Sequence, residues 1–289
     1  MKPAPFDYVA PRTVEEALKH LADNVGFATV LAGGQTLAPL LALRMATPSL
    51  VVDINRIAAL SGVRRQDGAT RIGAIARQNE VLADALVAEH VPALRKALHF
   101  VGHHQTRNRG TVGGSIALGE PAAESPATAL ALGAVIEARS TRGAREIAAE
   151  DFYLGPYTTA LEPDELITGV RFPDWPADTV TVVHEVARRA GDFALVGLVC
   201  AFAREGGRIS RAGVGWFGMG PQPIRSRKAE AALAGLSPSA ADLGEIARLA
   251  VSETDPLDDV QADAAYRRKV GVRVFERVVG EALGVRRAA

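Results

Sequence analysis

Two short segments of this chain join a glycine pair to small polar residues: Ala32-Gly33-Gly34-Gln35-Thr36-Leu37 and Gly110-Thr111-Val112-Gly113-Gly114-Ser115. Glycine reaches positive φ and lets a backbone approach a ligand closely, and successive amide N–H groups can then form a concave nest for an anion. Two such loops converging on one ligand suit a pyrophosphate. Either pair taken alone reads equally well as an ordinary turn, so the weight falls on what surrounds them.

Arg107-Asn108-Arg109 stands directly before the second pair. Such residues either add charge and anchorage to a phosphate loop or form a solvated turn. Beyond lies Gly119-Glu120-Pro121-Ala122-Ala123-Glu124-Ser125-Pro126. A carboxylate shortly after a phosphate loop is placed to accept hydrogen bonds from ribose hydroxyls; an acid in the first turn of a helix also gains from the dipole, and both can hold for one residue.

Other patterns carry less. Gly213, Gly215 and Gly218 spell G-x-G-x-x-G, but Met219-Gly220-Pro221-Gln222-Pro223 follows. The prolines oppose the helix that a dinucleotide fingerprint must open, so this stretch reads as a strand end and loop. The adjacent His103 and His104 do not converge on one metal without a sharp bend and read as a loop pair. No G-x-x-x-x-G-K-S/T, H-E-x-x-H or G-x-S-x-G occurs, which leaves P-loop and hydrolytic chemistry without support. The single cysteine, Cys200 in Val196-Gly197-Leu198-Val199-Cys200-Ala201, reads as an inert core thiol. One cysteine cannot hold an iron–sulfur cluster or a structural zinc.

The elements that must carry these residues follow from pattern. Thr13-Val14-Glu15-Glu16 is a capping box and opens a helix through Ala17, Leu18 and Leu21. Strands are predicted at residues 28–31, feeding the first glycine loop, and at 50–54 and 71–75; helices at 79–88 and 92–100 lead into the second. An alanine-rich helix near 127–132 precedes strands near 135–138 and 166–172. Residues 172–178, with Pro173 and Pro176, make the best linker. Three strand-like stretches at 180–188, 193–204 and 208–216 then give way to helices at 227–234, 240–251 and 262–283, an α+β pattern.

The bulk properties are those of a soluble globular protein of about two domains. Apolar residues are 48% and charged residues 23%, and 33 basic residues balance 33 acidic ones, so no net field recommends nucleic acid or an anionic membrane. The longest apolar run, 193–203, is too short to span a bilayer. The first residues lack a signal-peptide core, which makes the cytoplasm the default expectation.

On these residues the chain resembles the FAD-binding medium subunits of the molybdenum hydroxylases, the carbon monoxide dehydrogenase and xanthine dehydrogenase family. The resemblance runs along essentially the whole chain. It rests on the two glycine segments, Asp53-Ile54-Asn55, Arg107 to Arg109, Glu120-Pro121 and Arg189-Ala190-Gly191-Asp192-Phe193-Ala194. It implies an α+β architecture: a two-lobed FAD-binding domain of the vanillyl-alcohol-oxidase (PCMH) type over 1–176, with lobes of about 1–57 and 58–176. A smaller C-terminal flavoprotein domain over 177–289 follows, with an antiparallel sheet and helices.

The resemblance also implies site residues. Ala32, Gly33, Gly34, Gln35, Thr36 and Leu37, with Thr111, Val112, Gly113, Gly114 and Ser115, would supply backbone N–H groups to the FAD pyrophosphate, and Leu31, Gly110 and Ala117 would also bind the cofactor. Val101, Gly102 and Thr106 would line the cofactor tunnel. Ala123 and Glu124 would reach the adenosine ribose, Leu166 and Ile167 a ring portion, and Phe193 one flavin face. Some residues depart from the pattern: Ser115 stands where Asn or Asp is common, Glu124 adds a methylene to the usual aspartate, and Glu185 falls near a position where some members carry a flavin-facing lysine.

The implied role is electron transfer. A partner small subunit with two 2Fe–2S clusters would hand electrons to FAD from a molybdenum–pterin large subunit, and no catalytic or metal-binding residue is expected here. An external acceptor (NAD, quinone or oxygen) would take them, in a doubled heterotrimer. Two alternatives stand beside this. One is a self-sufficient flavin oxidase or dehydrogenase of the same fold, weakened by the lack of histidine in the first glycine loop. The other is a scaffold that has lost FAD, weakened by the intact glycine loops.

Overall fold

The Thr13 hydroxyl accepts a hydrogen bond from the Glu16 amide, and the helix that it caps, Val14–Asp23, buries Val14, Ala17, Leu18 and Leu21. The computed structural model describes residues 2–285. Those four side chains pack on a three-stranded parallel sheet ordered Asp7–Val9, Leu50–Asp53, Ala28–Leu31. A second, five-stranded antiparallel sheet runs Val63–Gln66, Ala69–Gly73, Leu166–Pro173, Val135–Ser140, Gly143–Ala148. A third, of four antiparallel strands, runs Val180–Val186, Val196–Glu205, Arg208–Phe217, Ile224–Arg225. The α+β organisation is the one predicted.

The helix Glu124–Leu132 joins the second and third sheets. All nine of its residues are buried, the mark of a helix covered on every side rather than one amphipathic at a surface. Val199, Ala201 and Phe217 of the third sheet share its core. A Cβ on Gly213 would strike the Ala131 carbonyl oxygen, and one on Gly215 would come within 2.5 Å of that of Ala127. The first two glycines of the G-x-G-x-x-G stretch are thus bare so that this helix can lie close, and the third, Gly218, lies at φ +71° against Ala194 O. The opposite face of the third sheet, through Val196, Leu198, Cys200, Phe202, Val214 and Trp216, packs on Arg227–Leu233, Leu243–Ser252 and Ala264–Leu283. Cys200 is fully buried there, and burial pushes its thiol up from the ordinary range.

Three local expectations change. The helix predicted over 79–88 is two, Gln78–Ala83 and Ala85–His90, because the Asp84 carboxylate caps the second by accepting from Leu86 and Val87 amides. The proposed linker is pinned: Pro173 ends a paired strand, the Trp175 indole donates to Leu132 O, and Arg211 lies 3.8 Å over its ring. The second glycine segment is not a loop. Its Thr111 caps a helix, Val112–Leu118, and a further short helix, His104–Arg109, precedes it.

Candidate functional site

The first glycine segment connects the strand Ala28–Leu31 to the helix Leu37–Ala42. Gly34 holds φ +71°, and the amides of Gly33, Gly34, Gln35 and Thr36 find no acceptor among the described residues. Gly33 rests on the second segment: a Cβ there would sit 2.5 Å from Arg109 O and 2.9 Å from Gly110 Cα. The two segments converge, as their sequences suggest.

They converge with unequal roles. In the second, the Val112 amide donates to Ala76 O at 3.1 Å, Gly113 to Ala74 O at 3.0 Å, and Ser115 to Thr111 O at 3.1 Å. The Gly114 amide donates to Thr111 Oγ1 at 3.1 Å. Gly113 is bare because a Cβ would lie 2.5 Å from Ala74 O and 2.6 Å from Ala74 Cα. A nest of free amides over Thr111–Ser115 is therefore not what these residues form; of their amides only that of Thr111 finds no acceptor among the described residues, and Thr111 itself is 3% exposed with its hydroxyl taken by the Gly114 amide.

A residue that sequence reading missed binds the two segments together. Arg77 donates from Nη1 to Arg109 O at 2.5 Å and from Nη2 to Asn55 Oδ1 at 2.6 Å. Asn55 in turn donates from Nδ2 to Ala32 O at 2.8 Å. Nothing in the local sequence marks Arg77, since its partners lie 22 and 32 residues away.

The remaining residues fall around this core. Val101, Gly102 and Thr106 form one turn, with Gly102 at φ +43° and the Arg107 guanidinium folded back on Val101 O at 2.8 Å. His103 packs against Gly191, whose Cβ would lie 2.6 Å from the ring, and this contact brings the Phe193 loop to the turn. Phe193 is 68% exposed. Leu31 is half-buried and Ala117 exposed, whereas Ala123 is buried at the N-cap of Glu124–Leu132. Leu166 and Ile167 are buried on the central strand of the second sheet, Leu166 in the same cluster that Ala32 packs against.

Comparison with known proteins decides the family. Residues 4–175 match the FAD binding domain in molybdopterin dehydrogenase, and residues 181–282 match the CO dehydrogenase flavoprotein C-terminal domain. The chain belongs to this family. FAD is accordingly its cofactor and oxidoreductase its enzyme class. It is 38% identical to the 6-hydroxypseudooxynicotine dehydrogenase complex subunit alpha of Paenarthrobacter nicotinovorans, over 98% of this chain and 96% of that one. It is 31% identical to the carbon monoxide dehydrogenase medium chain of Hydrogenophaga pseudoflava, over 98% of both. Its structure superposes on that of reconstituted CO dehydrogenase from Oligotropha carboxidovorans with a TM-score of 0.95 at 32% identity, covering 99% of this chain and 100% of that one. Among the described residues, no helix is long and apolar enough to cross a membrane.

The residues present fit FAD. A run of unpaired amides at a positive-φ glycine suits the pyrophosphate. A buried acid, Glu124, and a half-buried one, Glu185, suit the hydroxyls of a sugar chain. Glu124 is 9% exposed, and burial pushes its carboxyl up to about 8, with the Glu185 charge adding and the Arg107 charge opposing. Burial likewise pushes Glu185 up to about 7, and its Oε2 is enclosed without a partner among the described residues. Glu185 reaches this seam from the third sheet, on the face that carries Gly197 and Phe217 opposite it in register. Glu120 is committed elsewhere: it accepts from the Ala122 amide at 3.2 Å and from the Tyr157 hydroxyl at 2.6 Å.

Proposed function

We propose that this FAD-binding subunit is the electron exit of a multisubunit molybdenum hydroxylase. It would receive electrons from a small subunit carrying 2Fe–2S clusters, which draws them from a molybdenum–pterin large subunit, and release them to an external acceptor such as NAD, a quinone or oxygen. The single observation that carries the reading is the first glycine segment: four free amides held on the backbone of the second segment, with an exposed aromatic, Phe193, across the turn at 101–106. The names of its relatives, a complex subunit alpha and a medium chain, support a partnered rather than a self-sufficient enzyme.

The residues divide the work as follows. Gly33 to Thr36 bind the pyrophosphate through their N–H groups, and the Thr111 N–H and hydroxyl complete its shell. Ala123 and Glu124 hold the ribose end. Val101, Gly102 and Thr106 line the path, Leu166 and Ile167 back it, and Phe193 covers a ring face. Ala117 is exposed on the helix Val112–Leu118. FAD, when bound, supplies the exchange between single-electron and two-electron transfer; the chain orients it and excludes water.

The test is the visible spectrum of the purified chain before and after adding FAD and removing the excess. Retained flavin bands that acid precipitation releases into the supernatant are expected. Co-expression with candidate small and large subunits then reports whether electrons from a molybdenum-centre substrate bleach that flavin. Bleaching of the isolated chain by an organic substrate would overturn the partnered reading, and a chain colourless under all conditions would overturn FAD binding.

A further inference from the structure

The loop between the strands Val180–Val186 and Val196–Glu205 carries Phe193 and is held at two points. Gly191, at φ +86°, lies against the His103 ring, and the Leu195 amide donates to Val186 O at 2.8 Å. A third hold comes from far away in sequence. Arg267, in the first turn of the helix Ala264–Leu283, is only 5% exposed. Its Nη1 donates to Leu195 O at 2.7 Å and to Gly218 O at 3.0 Å, and its Nη2 donates to Asp259 Oδ2 at 2.7 Å.

Each of these partners belongs to a different segment near the site. Leu195 ends the Phe193 loop. Gly218 follows the strand Arg208–Phe217, lies against Ala194 O at 2.5 Å from its Cβ position, and donates its amide to Pro121 O at 2.9 Å, three residues before Glu124. Asp259 folds the loop before the last helix by accepting from the Gln261 and Ala262 amides on its other oxygen. A guanidinium stays charged at any accessible pH, so burying one is costly unless every nearby acceptor is aimed at it. Here two carbonyls and a carboxylate are aimed at it. The fold spends a buried charge at the point where the Phe193 loop meets the approach to Glu124.

The geometry points to Arg267 as a positioning residue for the cofactor site. It holds the Phe193 loop and the Pro121–Glu124 approach in fixed register, without touching the cofactor itself. The effect on the cofactor rests on the FAD reading above; the effect on the loop does not.

The test uses the full chain. Arg188 and Arg189 are exposed in the same loop, so trypsin reports on its anchorage with no cofactor present. In R267Q, cleavage at these two residues is expected to accelerate about tenfold, the scale of one lost charge-assisted hydrogen bond, with the other tryptic sites unchanged. With FAD added, R267Q is expected to bind about tenfold more weakly and to show the raised flavin fluorescence and altered visible circular dichroism of F193A. The double variant should add nothing further to the fluorescence, and R267K should restore part of it. A folded R267Q with wild-type cleavage and wild-type flavin signals overturns the proposal, as does cleavage spread evenly along the chain, which marks global destabilisation. If R267Q does not fold, R267K keeps the charge on a single ammonium that cannot span both carbonyls and Asp259; unchanged cleavage there overturns the proposal equally. A wild-type chain that takes up no FAD defeats the FAD reading, and the cofactor-free cleavage assay still decides the role of Arg267.

Discussion

The two glycine segments look alike in sequence and do opposite things. In Gly33–Thr36 the four amides stay free; Gly33 is bare because Arg109 and Gly110 lie against it, and glycine at 34 supplies a positive φ. In Gly113–Ser115 the amides are already bonded, and glycine is there because Ala74 leaves no room for a side chain. In the third glycine-rich stretch, Gly213 and Gly215 repeat the second use against the helix Glu124–Leu132. A glycine pair therefore signals close approach, and only its hydrogen bonds tell whether the neighbour is a ligand or the protein itself.

The largest effect should come from adding bulk where the protein is its own neighbour. Gly113→Val drives branched carbons into the Ala74 backbone and should destabilise the fold by about 3 kcal/mol, the upper part of the range for overpacking. Thermal unfolding of the FAD-free chain checks it. A normal melting temperature together with lost FAD would reverse the comparison, making Gly113 a ligand contact. Gly34→Ala is the counterpart: its neighbourhood holds only the Leu31 side chain at 3.2 Å, so its cost should be the left-handed strain of about 1–2 kcal/mol.

Next in size is the clamp. Arg77→Met removes the bonds to Arg109 O and Asn55 while keeping the stem, and should cost about 2 kcal/mol as two bonds from a charged donor are lost. Its signature is that FAD affinity falls more than stability does, because the free amides of the first segment lose their seat. Titration of FAD beside a melting curve separates the two. Equal losses would mean that Arg77 serves the fold alone.

How much of this was readable depends on the range over which each feature is set. The helix at Val14–Asp23 declares itself through Thr13, Glu16 and its apolar spacing, and the strands followed by helices beyond residue 180 are equally local signals. The helix Val112–Leu118 was not readable, because two glycines disfavour a helix and its seat against Ala74 and Ala76 is set by the fold rather than by local sequence. The edge strands Val63–Gln66 and Gly143–Ala148 were missed for a related reason: Arg64, Arg65 and Arg145 give them the polarity of loops, which is how edges are protected. Arg77 and Arg267 are indistinguishable in sequence from solvated arginines, since their carbonyl partners are assembled by topology.

A smaller test refines the contrast from the second segment's side. Thr111→Val removes the cap on the Gly114 amide at nearly constant volume and should cost about 1 kcal/mol of stability. It also frees one N–H in a segment that otherwise has few. If the second segment serves chiefly as a seat, FAD affinity should fall by no more than the lost hydroxyl explains. A larger loss would show that Thr111 itself carries the phosphate, and the two segments would be more alike than their hydrogen bonds suggest.

The smallest effect concerns the acids that close the other end of the site. Glu124 and Glu185 are pushed up to about 8 and about 7 by burial, above the ordinary carboxylate range of the unfolded chain. The folded state therefore holds protons that the unfolded state has released, and the stability this confers is complete below the unfolded value. It is lost as pH rises through 7 and then 8. Between about pH 7.5 and 8.5 the fall should be under about 1 kcal/mol, with Glu124 the main contributor because Glu185 has mostly ionised already. Glu124→Gln should flatten the melting curve's pH dependence in this window, and Glu185→Gln should act mainly nearer neutrality. FAD affinity should weaken in the same direction, since ionising either acid brings negative charge toward a ligand that carries a pyrophosphate. A flat profile across this window would mean that both acids are already ionised in the folded chain, and the seam would then need a cation that neither glycine segment supplies.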